Sequence, residues 1–267
     1  MTTPAEYAFI LAYKCWLETD AHYLDLLRGK ALTKPKFDEV GLKYGITRNI
    51  KIVNVSNYIA MVNGIGPKIS YGVGINLTQR AYLLAVDIQN FTACPPGNNL
   101  TTSATSKFSW FIWPDNWTMF DKFVAGAVLG ASNSNSISRF LKFYLTLEQR
   151  GWTSILTCVR NKISQRNPLY KFDILLAERT IDKYLWLSYC HSKGNFTQIQ
   201  KSLDNFIFAL PNCLGEEVRA TSLAIAPCLN SGKLLHPVTE DEKKERAGEA
   251  LLIEKRLEGL MNGSVDE

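Results

Sequence analysis

Apolar residues recur along most of the chain at the three- and four-residue spacing of an α-helix, whereas the alternation that is typical of a half-buried β-strand is scarce. The first such stretch, Glu6 to Leu27, ends at Arg28-Gly29, and a basic turn followed by glycine is typical of a helix C-terminus. Further helical stretches follow, joined by short loops rich in Pro, Gly and Asn. The pattern predicts an all-α fold with one helical domain over residues 1–236.

The other predicted helices cover most of the chain beyond residue 76. They run from Asn76 to about Asp87, Thr102 to Trp113, Phe120 to Gly130, Ser138 to Gln149, Thr153 to Ser164, Phe172 to Tyr189, Phe196 to Ala209 and Glu216 to Leu229. Asn49 to Tyr71 is ambiguous, because β-branched residues precede several glycines there. A charged stretch with a narrow apolar stripe predicts a peripheral helix within the C-terminal segment, residues 237–267.

The composition is that of a folded protein. Of the 267 residues, 46% are hydrophobic and 21% are charged, so the chain can bury a sizeable core. The six cysteines are far apart, which excludes the common zinc and iron–sulfur signatures. No stretch has the length and apolarity of a membrane span, and the first apolar stretch lacks the features of a signal peptide. We therefore expect a cytoplasmic protein without a metal site.

Several classes of chemistry lack their sequence motifs. The chain contains no phosphate-binding P-loop and no nucleophile elbow, and Gly72-Val73-Gly74 lacks the strand–glycine–helix context of a dinucleotide site. The histidines His22, His191 and His236 are too far apart in sequence for a pair of ligands at helical spacing. The sequence therefore predicts no cofactor, and it leaves lysine and carboxylate chemistry as the candidates.

Positive charge is concentrated in one part of the chain. The net charge is +5, and residues 139–171 contain seven basic residues against the single acid Glu148. Such a run is more often a solvated surface than a phosphate-binding one, but it is compatible with a nucleic-acid partner. If the run binds DNA, we expect Arg160, Lys162 and Arg166 to contact phosphates without selecting a base.

The segment from Thr102 to Ala125 is the most unusual in the chain. Small residues and a serine precede Lys107, an aromatic-rich helix follows, and a short loop leads to Asp121 and a valine three residues later. This order resembles the pattern of DNA glycosylases of the 8-oxoguanine-glycosylase (OGG) fold, and Arg179 to Trp186 is similar to a C-terminal helix motif of the same family. The resemblance implies a helical glycosylase (helix-hairpin-helix/OGG-like) fold, with Lys107 as the amine nucleophile and Asp121 as the carboxylate beside the sugar.

The physical reason for such a pair is independent of the resemblance. Breaking an N-glycosidic bond creates positive charge at C1′ of the deoxyribose, and a fixed carboxylate such as Asp121 opposes that charge. A lysine becomes a nucleophile when burial among apolar groups lowers its pKa, and aromatic residues surround Lys107 in sequence. The simpler alternative is that Lys107 is an ordinary surface lysine and Asp121 an ordinary acid at a helix N-terminus.

A rival assignment starts from residues 62–69. Gly64, Gly66 and Lys68 resemble the turn of a helix-hairpin-helix motif, whose glycine amides bind a DNA phosphate and which precedes the catalytic lysine in better-known glycosylases. Asp87 follows Lys68 by nineteen residues, which makes Lys68 and Asp87 a second candidate pair. The glycines between them are poor helix formers, so this pair ranks second. We still expect Gly64, Gly66 and Lys68 to contact phosphate.

Three tryptophans lie close to the proposed catalytic pair in sequence. A base removed from the duplex has to be held against flat groups, so Trp110, Trp113 and Trp117 are candidates for a base pocket. Core packing is the commoner fate of aromatic residues at helical spacing. We expect one of the three to contact the extruded base and the other two to pack.

The resulting hypothesis is a monomeric DNA glycosylase that acts on double-stranded DNA, flips a damaged or modified base and cleaves its N-glycosidic bond. A narrower version is defence against phage whose DNA carries hypermodified bases, since a host can attack bases that its own DNA does not contain. The alternative is a non-enzymatic helical DNA-binding or toxin–antitoxin-type module, in which residues 139–171 bind DNA and Lys107 has no catalytic role.

Overall fold

The computed structural model describes residues 2–46, 54–70, 75–93, 101–130, 136–166 and 172–235. Every regular element within these ranges is helical, so the prediction of an all-α class is confirmed. The predicted C-terminal helix in residues 237–267 lies outside the described residues.

Twelve α-helices form this part of the chain. They are α1 (Pro4–Cys15), α2 (Ala21–Leu27), α3 (Lys34–Lys43), α4 (Val55–Ser70), α5 (Leu77–Ala93), α6 (Thr102–Ile112), α7 (Lys122–Leu129), α8 (Ile137–Gln149), α9 (Trp152–Gln165), α10 (Leu176–Ser192), α11 (Phe196–Ala209) and α12 (Asn212–Ser231). A π-helical segment, Trp16–Asp20, joins α1 to α2, and a 3₁₀ turn, Lys233–Leu235, follows α12. None of these helices is long and apolar enough to cross a membrane.

The first helical stretch has clear signals at both ends. Pro4 occupies the first turn of α1, where its missing N–H costs nothing, and the backbone N–H of Thr3 donates to the Glu6 carboxylate at 2.9 Å. After α2 the chain turns at Gly29, whose φ of +65° favours glycine. The predicted helix from Glu6 to Leu27 is therefore present, with a π-helical turn in its middle.

The core lies around α1, α6 and α10. Helix α1 packs against α10 and α12, α5 packs on α8, and α7 packs on α10. Helix α6 is surrounded by aromatic side chains, and Phe108 stacks on Phe37 with ring centroids 5.6 Å apart. Burial of these large rings is the main stabilising contribution to such a fold.

A disulfide joins α9 to α12. The sulfurs of Cys158 and Cys228 are bonded, and the two residues are 70 positions apart in sequence. Closing a loop of this length stabilises the fold chiefly by restricting the unfolded chain. Disulfides are rare in cytosolic proteins, so this bond does not favour the cytoplasmic location that the sequence suggested.

The glycine-rich stretch of residues 62–69 is helical in the structure. Gly64 and Gly66 both lie inside α4, which continues to Ser70. The predicted helix-hairpin-helix turn is therefore wrong at this position, because helical amides bond within the helix and are not available as an exposed phosphate-binding turn. Close packing explains one of the glycines, since a Cβ at Gly66 would lie 2.6 Å from the Trp113 ring. A Cβ at Gly64 would meet nothing within 4 Å.

These two glycines give a matched test of the helix. Gly64→Ala should raise the free energy of unfolding by about 1 kcal/mol, because alanine is the better helix former and meets no neighbour. Gly66→Ala should lower it, because the new methyl group displaces Trp113. Urea denaturation followed by circular dichroism measures both changes. A destabilised Gly64→Ala variant would favour the hairpin turn, in which alanine is strained.

Candidate active site

Helix α6 is buried on almost every side. Ser103 and Lys107 are its two residues that are not fully buried, and they lie one turn apart on the same face. The helix is thus enclosed except along the line that carries Lys107. This placement differs from that of an ordinary surface lysine, which projects from the outer face of an exposed helix.

The environment of Lys107 favours its neutral form. Burial is the largest influence and lowers the pKa of Lys107 below its usual range. The negative charges of Asp121 and Asp182 act in the opposite direction, whereas the positive charge of Arg179 lowers the pKa further. Lys107 therefore lies within electrostatic range of both aspartates. The effect of burial on its pKa is larger than the opposing effect of their charges.

Asp121 is the N-cap of α7. Its Oδ1 atom accepts hydrogen bonds from the backbone N–H groups of Phe123 at 2.8 Å and Val124 at 2.9 Å. These bonds and the positive end of the helix dipole stabilise its charge, and they fix the orientation of the carboxylate. Both of these capping hydrogen bonds are accepted by Oδ1.

The loop between α6 and α7 is tied back to α6 at the residue before Lys107. The backbone N–H of Phe120 donates to Ser106 Oγ at 2.9 Å, and Trp117 Nε1 donates to the Ser106 carbonyl at 3.0 Å. Because Phe120 precedes Asp121, the first of these bonds holds Asp121 near the α6 turn that carries Lys107. Ser106 was part of the sequence motif, but its role as the anchor of the loop was not predicted.

A buried ion cluster lies beside this pair. The Arg179 guanidinium donates from Nε to Asp20 Oδ2 at 2.7 Å and from Nη1 to Asp182 Oδ2 at 2.6 Å, and all three side chains are almost fully buried. Burial is the largest influence on the pKa of Asp20 and raises it, but Arg179, Lys183 and Tyr44 together outweigh burial, and the net pKa is lowered. For Asp182 burial prevails over Arg179, and the pKa is raised. The motif that includes Arg179 and Asp182 was noticed in the sequence, but Asp20 was not.

The structure separates the three tryptophans of the predicted base pocket. Trp110 is 1% exposed and Trp117 is fully buried, so both belong to the core and neither offers an open face to a base. Trp117 instead stacks on Tyr144 at 4.1 Å between ring centroids. Trp113 alone remains half-buried, and it lines a cavity at the far end of α6. Contact with an extruded base stays a prediction for Trp113 alone.

Another aromatic pair lies next to Asp121. Phe123, two residues further on, is 37% exposed, and its ring meets Tyr189 of α10 edge-on at 5.3 Å. Tyr189 in turn lies against Gly126, where a Cβ would come within 2.6 Å of its ring. Sequence analysis missed this pair, because Phe123 reads as one more apolar residue of α7 and Tyr189 is distant in sequence.

The basic residues of the predicted phosphate-binding surface have different environments. Arg160 pairs with the fully buried carboxylate of Glu178, so its guanidinium has a structural role. Lys162 is half-buried and Arg166 is exposed. Lys162 and Arg166 therefore remain candidates for phosphate contact, whereas Arg160 is committed to Glu178.

The rival catalytic pair falls on two neighbouring helices. Lys68 belongs to α4 and Asp87 to α5, and these helices pack together. The hairpin turn that motivated the assignment is absent from α4, which removes the main argument for placing DNA beside Lys68. For Lys107 and Asp121 the structure provides an electrostatic interaction.

Comparisons with known proteins found nothing similar: no family model matches the chain, and neither curated proteins nor solved structures gave a match. Within the described ranges, no group of three or more His, Cys, Asp or Glu side chains is arranged to hold a metal ion. The chemical interpretation of the site therefore rests on its own geometry.

The raised pKa of the buried Glu178 side chain predicts that the stability of the fold depends on pH. Burial raises its pKa from 4.5 to about 7, against the opposing effect of Arg160. The folded state thus holds a proton that the unfolded state loses, so the stabilisation is complete below about pH 4.5 and is lost as the pH rises through 7. Relative to Glu178→Gln, the parent should lose about 3 kcal/mol of unfolding free energy between pH 4 and pH 8. Urea titrations of both proteins across this range provide the measurement, and a constant difference would contradict the raised pKa.

Proposed function

We propose that this protein is a DNA glycosylase with an OGG-like helical fold, in which Lys107 is the nucleophile and Asp121 the carboxylate that stabilises the transition state. The observation that carries the proposal is a half-buried lysine, whose pKa is lowered by burial, within electrostatic range of a carboxylate held at a helix N-terminus. The two residues that the family resemblance selected thus interact electrostatically, and their environments support the roles that it implies.

The proposed reaction uses the neutral amine of Lys107. Its lone pair forms a bond to C1′ of the deoxyribose while the bond from C1′ to the base nitrogen breaks, and the bonding electrons leave with the base. The base takes up a proton, and the attached amine releases one. Opening of the sugar ring then gives a Schiff base between Lys107 and C1′, which water hydrolyses to restore the lysine.

Asp121 contributes through its charge. As the bond to the base lengthens, positive charge develops at C1′ and at the ring oxygen, and a carboxylate fixed nearby lowers the energy of that state. Because the hydrogen bonds to Phe123 and Val124 hold Oδ1, the carboxylate is oriented before the substrate arrives. Little reorganisation is then needed during the reaction.

An extruded base also needs a flat apolar surface. Phe123, two residues after Asp121, is partly exposed and packs edge-on against Tyr189 of α10, so the two rings offer apolar surface beside Asp121. We assign base contact near the reacting sugar to this pair, because Trp110 and Trp117 are enclosed by the core.

The substrate panel should contain normal, oxidised and phage-type hypermodified double-stranded DNA, with mass spectrometry of any released base. Release from hypermodified DNA alone would favour the narrower proposal of phage defence. DNA binding that depends on salt but releases no base from any substrate would favour the non-enzymatic DNA-binding module.

Covalent trapping tests the nucleophile. Borohydride reduction should link the parent protein to a cleaved substrate, because only a Schiff base is reducible, and Lys107→Gln should remove the adduct. Denaturing gel electrophoresis of labelled DNA measures the adduct directly.

Two other lysines serve as controls for this experiment. Lys122→Gln removes an exposed lysine that follows Asp121, and it should leave trapping unchanged. Lys68→Gln should also spare the adduct. Loss of trapping in Lys68→Gln but not in Lys107→Gln would transfer the reaction to Lys68 and Asp87. If neither lysine variant affects a substrate that is cleaved, water is the nucleophile.

Asp121→Asn separates catalysis from folding and binding. Asparagine caps helices as well as aspartate does, so α7 should remain intact. Base release in single-turnover assays should fall more than a hundredfold, which corresponds to about 3 kcal/mol of transition-state stabilisation. Affinity for DNA should be retained or increased, because a negative charge has been removed. A variant that binds DNA and releases base at the parental rate would exclude Asp121 from the reaction.

A further inference from the structure

A second candidate site lies at the C-terminal end of α6. Trp113 lies six positions after Lys107, which corresponds to about 9 Å along a helix axis. A cavity of about 430 Å³ opens here between Arg28, Arg80, the pair Ile69 and Ile75, and residues 112–116. Among the described residues that line it, Trp113 alone was part of the predicted base pocket, and neither Lys107 nor Asp121 is present. We call this space the arginine cavity.

Arg80 is the unusual residue of the arginine cavity. Its side chain is buried, and its Nη atoms donate to the carbonyls of Ser109, Trp113 and Asp115 at the end of α6. In the part of the chain that the structure describes, its Nε–H is buried without an acceptor. Burial is also the main reason that the pKa of Arg80 falls to about 9.

The positive charge at the arginine cavity is only partly balanced. A buried arginine is normally paired with a carboxylate, because an uncompensated charge is costly to remove from water. Here the carbonyls at the end of α6 supply partial negative charge, and the Asp115 carboxylate pairs with Arg28 at 3.6 Å instead of forming an ion pair with Arg80. An anion that enters the cavity therefore meets the exposed Arg28 guanidinium and the exposed Asp115 carboxylate, and it feels the positive charge of the buried Arg80 from behind the wall.

Apolar side chains form part of the wall. Ile69 and Ile75 form one side, and the half-buried ring of Trp113 forms another. The volume falls within the usual range for small-molecule sites, in which apolar walls and a few polar groups orient the ligand. These features suit a ligand that joins an anionic group to a flat ring.

We propose that the arginine cavity binds a nucleotide, with its phosphate paired with Arg28 in the positive field of the buried Arg80 and its base against Trp113. Arginine is well suited to phosphate because its planar fork matches the oxygens, and tryptophan offers a stacking surface to any base. The nucleotide is either free or part of a DNA single strand, and the two sources share this chemistry. The site does not depend on the reaction proposed for Lys107.

Calorimetric titration of the full-length protein with 2′-deoxyadenosine 5′-monophosphate provides the test, with 2′-deoxyadenosine and inorganic phosphate as separate probes. The monophosphate should bind at least tenfold more tightly than either fragment. Arg28→Gln and Trp113→Leu should each weaken binding about tenfold, since each loses one charge-assisted bond or one stacking contact. A short single-stranded oligonucleotide forms a parallel arm. If the oligonucleotide binds and the monophosphate does not, with the same sensitivity to both variants, the nucleotide belongs to a strand.

Two further variants distinguish binding from a loss of structure. Asp115→Asn should tighten binding, because it removes the carboxylate that competes for Arg28, and damage to the fold does not produce such a gain. Lys30→Gln removes an exposed charge two residues from Arg28 and outside the arginine cavity, and it should have no effect. Lys107→Gln should bind nucleotide as the parent does, so the proposal for the arginine cavity and the proposal for Lys107 are tested independently. The proposal is overturned if neither nucleotide form binds, or if Arg28→Gln and Trp113→Leu bind like the parent.

Discussion

The ion pairs of the buried Arg179 connect the fold to the candidate active site. Asp20 and Arg179 are 159 residues apart in sequence, and their contact joins the π-helical segment after α1 to α10. Without the guanidinium, the buried carboxylates of Asp20 and Asp182 would lose their main counter-charge, and only Lys183 and the Tyr44 hydroxyl would partly balance them. Arg179 also offsets the negative field that would otherwise raise the pKa of Lys107. One buried cation therefore supports both the packing of the first helix and the chemistry of the lysine.

Sequence analysis succeeded where the determining interactions are local. The helical class follows from apolar spacing, and α6 and α7 were expected close to where they are found. Lys107 and Asp121 could be proposed as a pair because one lies on a helix and the other at the start of the next. The loop between these elements, residues 113–121, is held against α6 by the hydrogen bond from Phe120 to Ser106, and this bond was not predicted.

Sequence analysis failed where distant segments determine the environment. Asp20 cannot be recognised as a partner of Arg179 from spacing, because tertiary packing alone brings them together. The stretch around Gly64 and Gly66 was interpreted as a turn from its composition, whereas the contact between Gly66 and Trp113 provides a packing reason for glycine in a helix. Trp117 looked like a pocket residue because it lies near the motif, yet it is held in the core beneath the Arg80 guanidinium, 4.5 Å away.

The π-helical turn at Trp16–Asp20 places an extra residue inside a helix instead of in a loop. Such a turn changes the direction in which the later side chains of the helix point relative to those of α1. Each residue gained or lost rotates them by about 100° around the helix axis. Deleting a single residue here would leave a regular helix and still direct Asp20 away from Arg179. The number of residues in this helix is thus as tightly constrained as the identity of Asp20. Insertions and deletions have to be accommodated in the connecting loops instead.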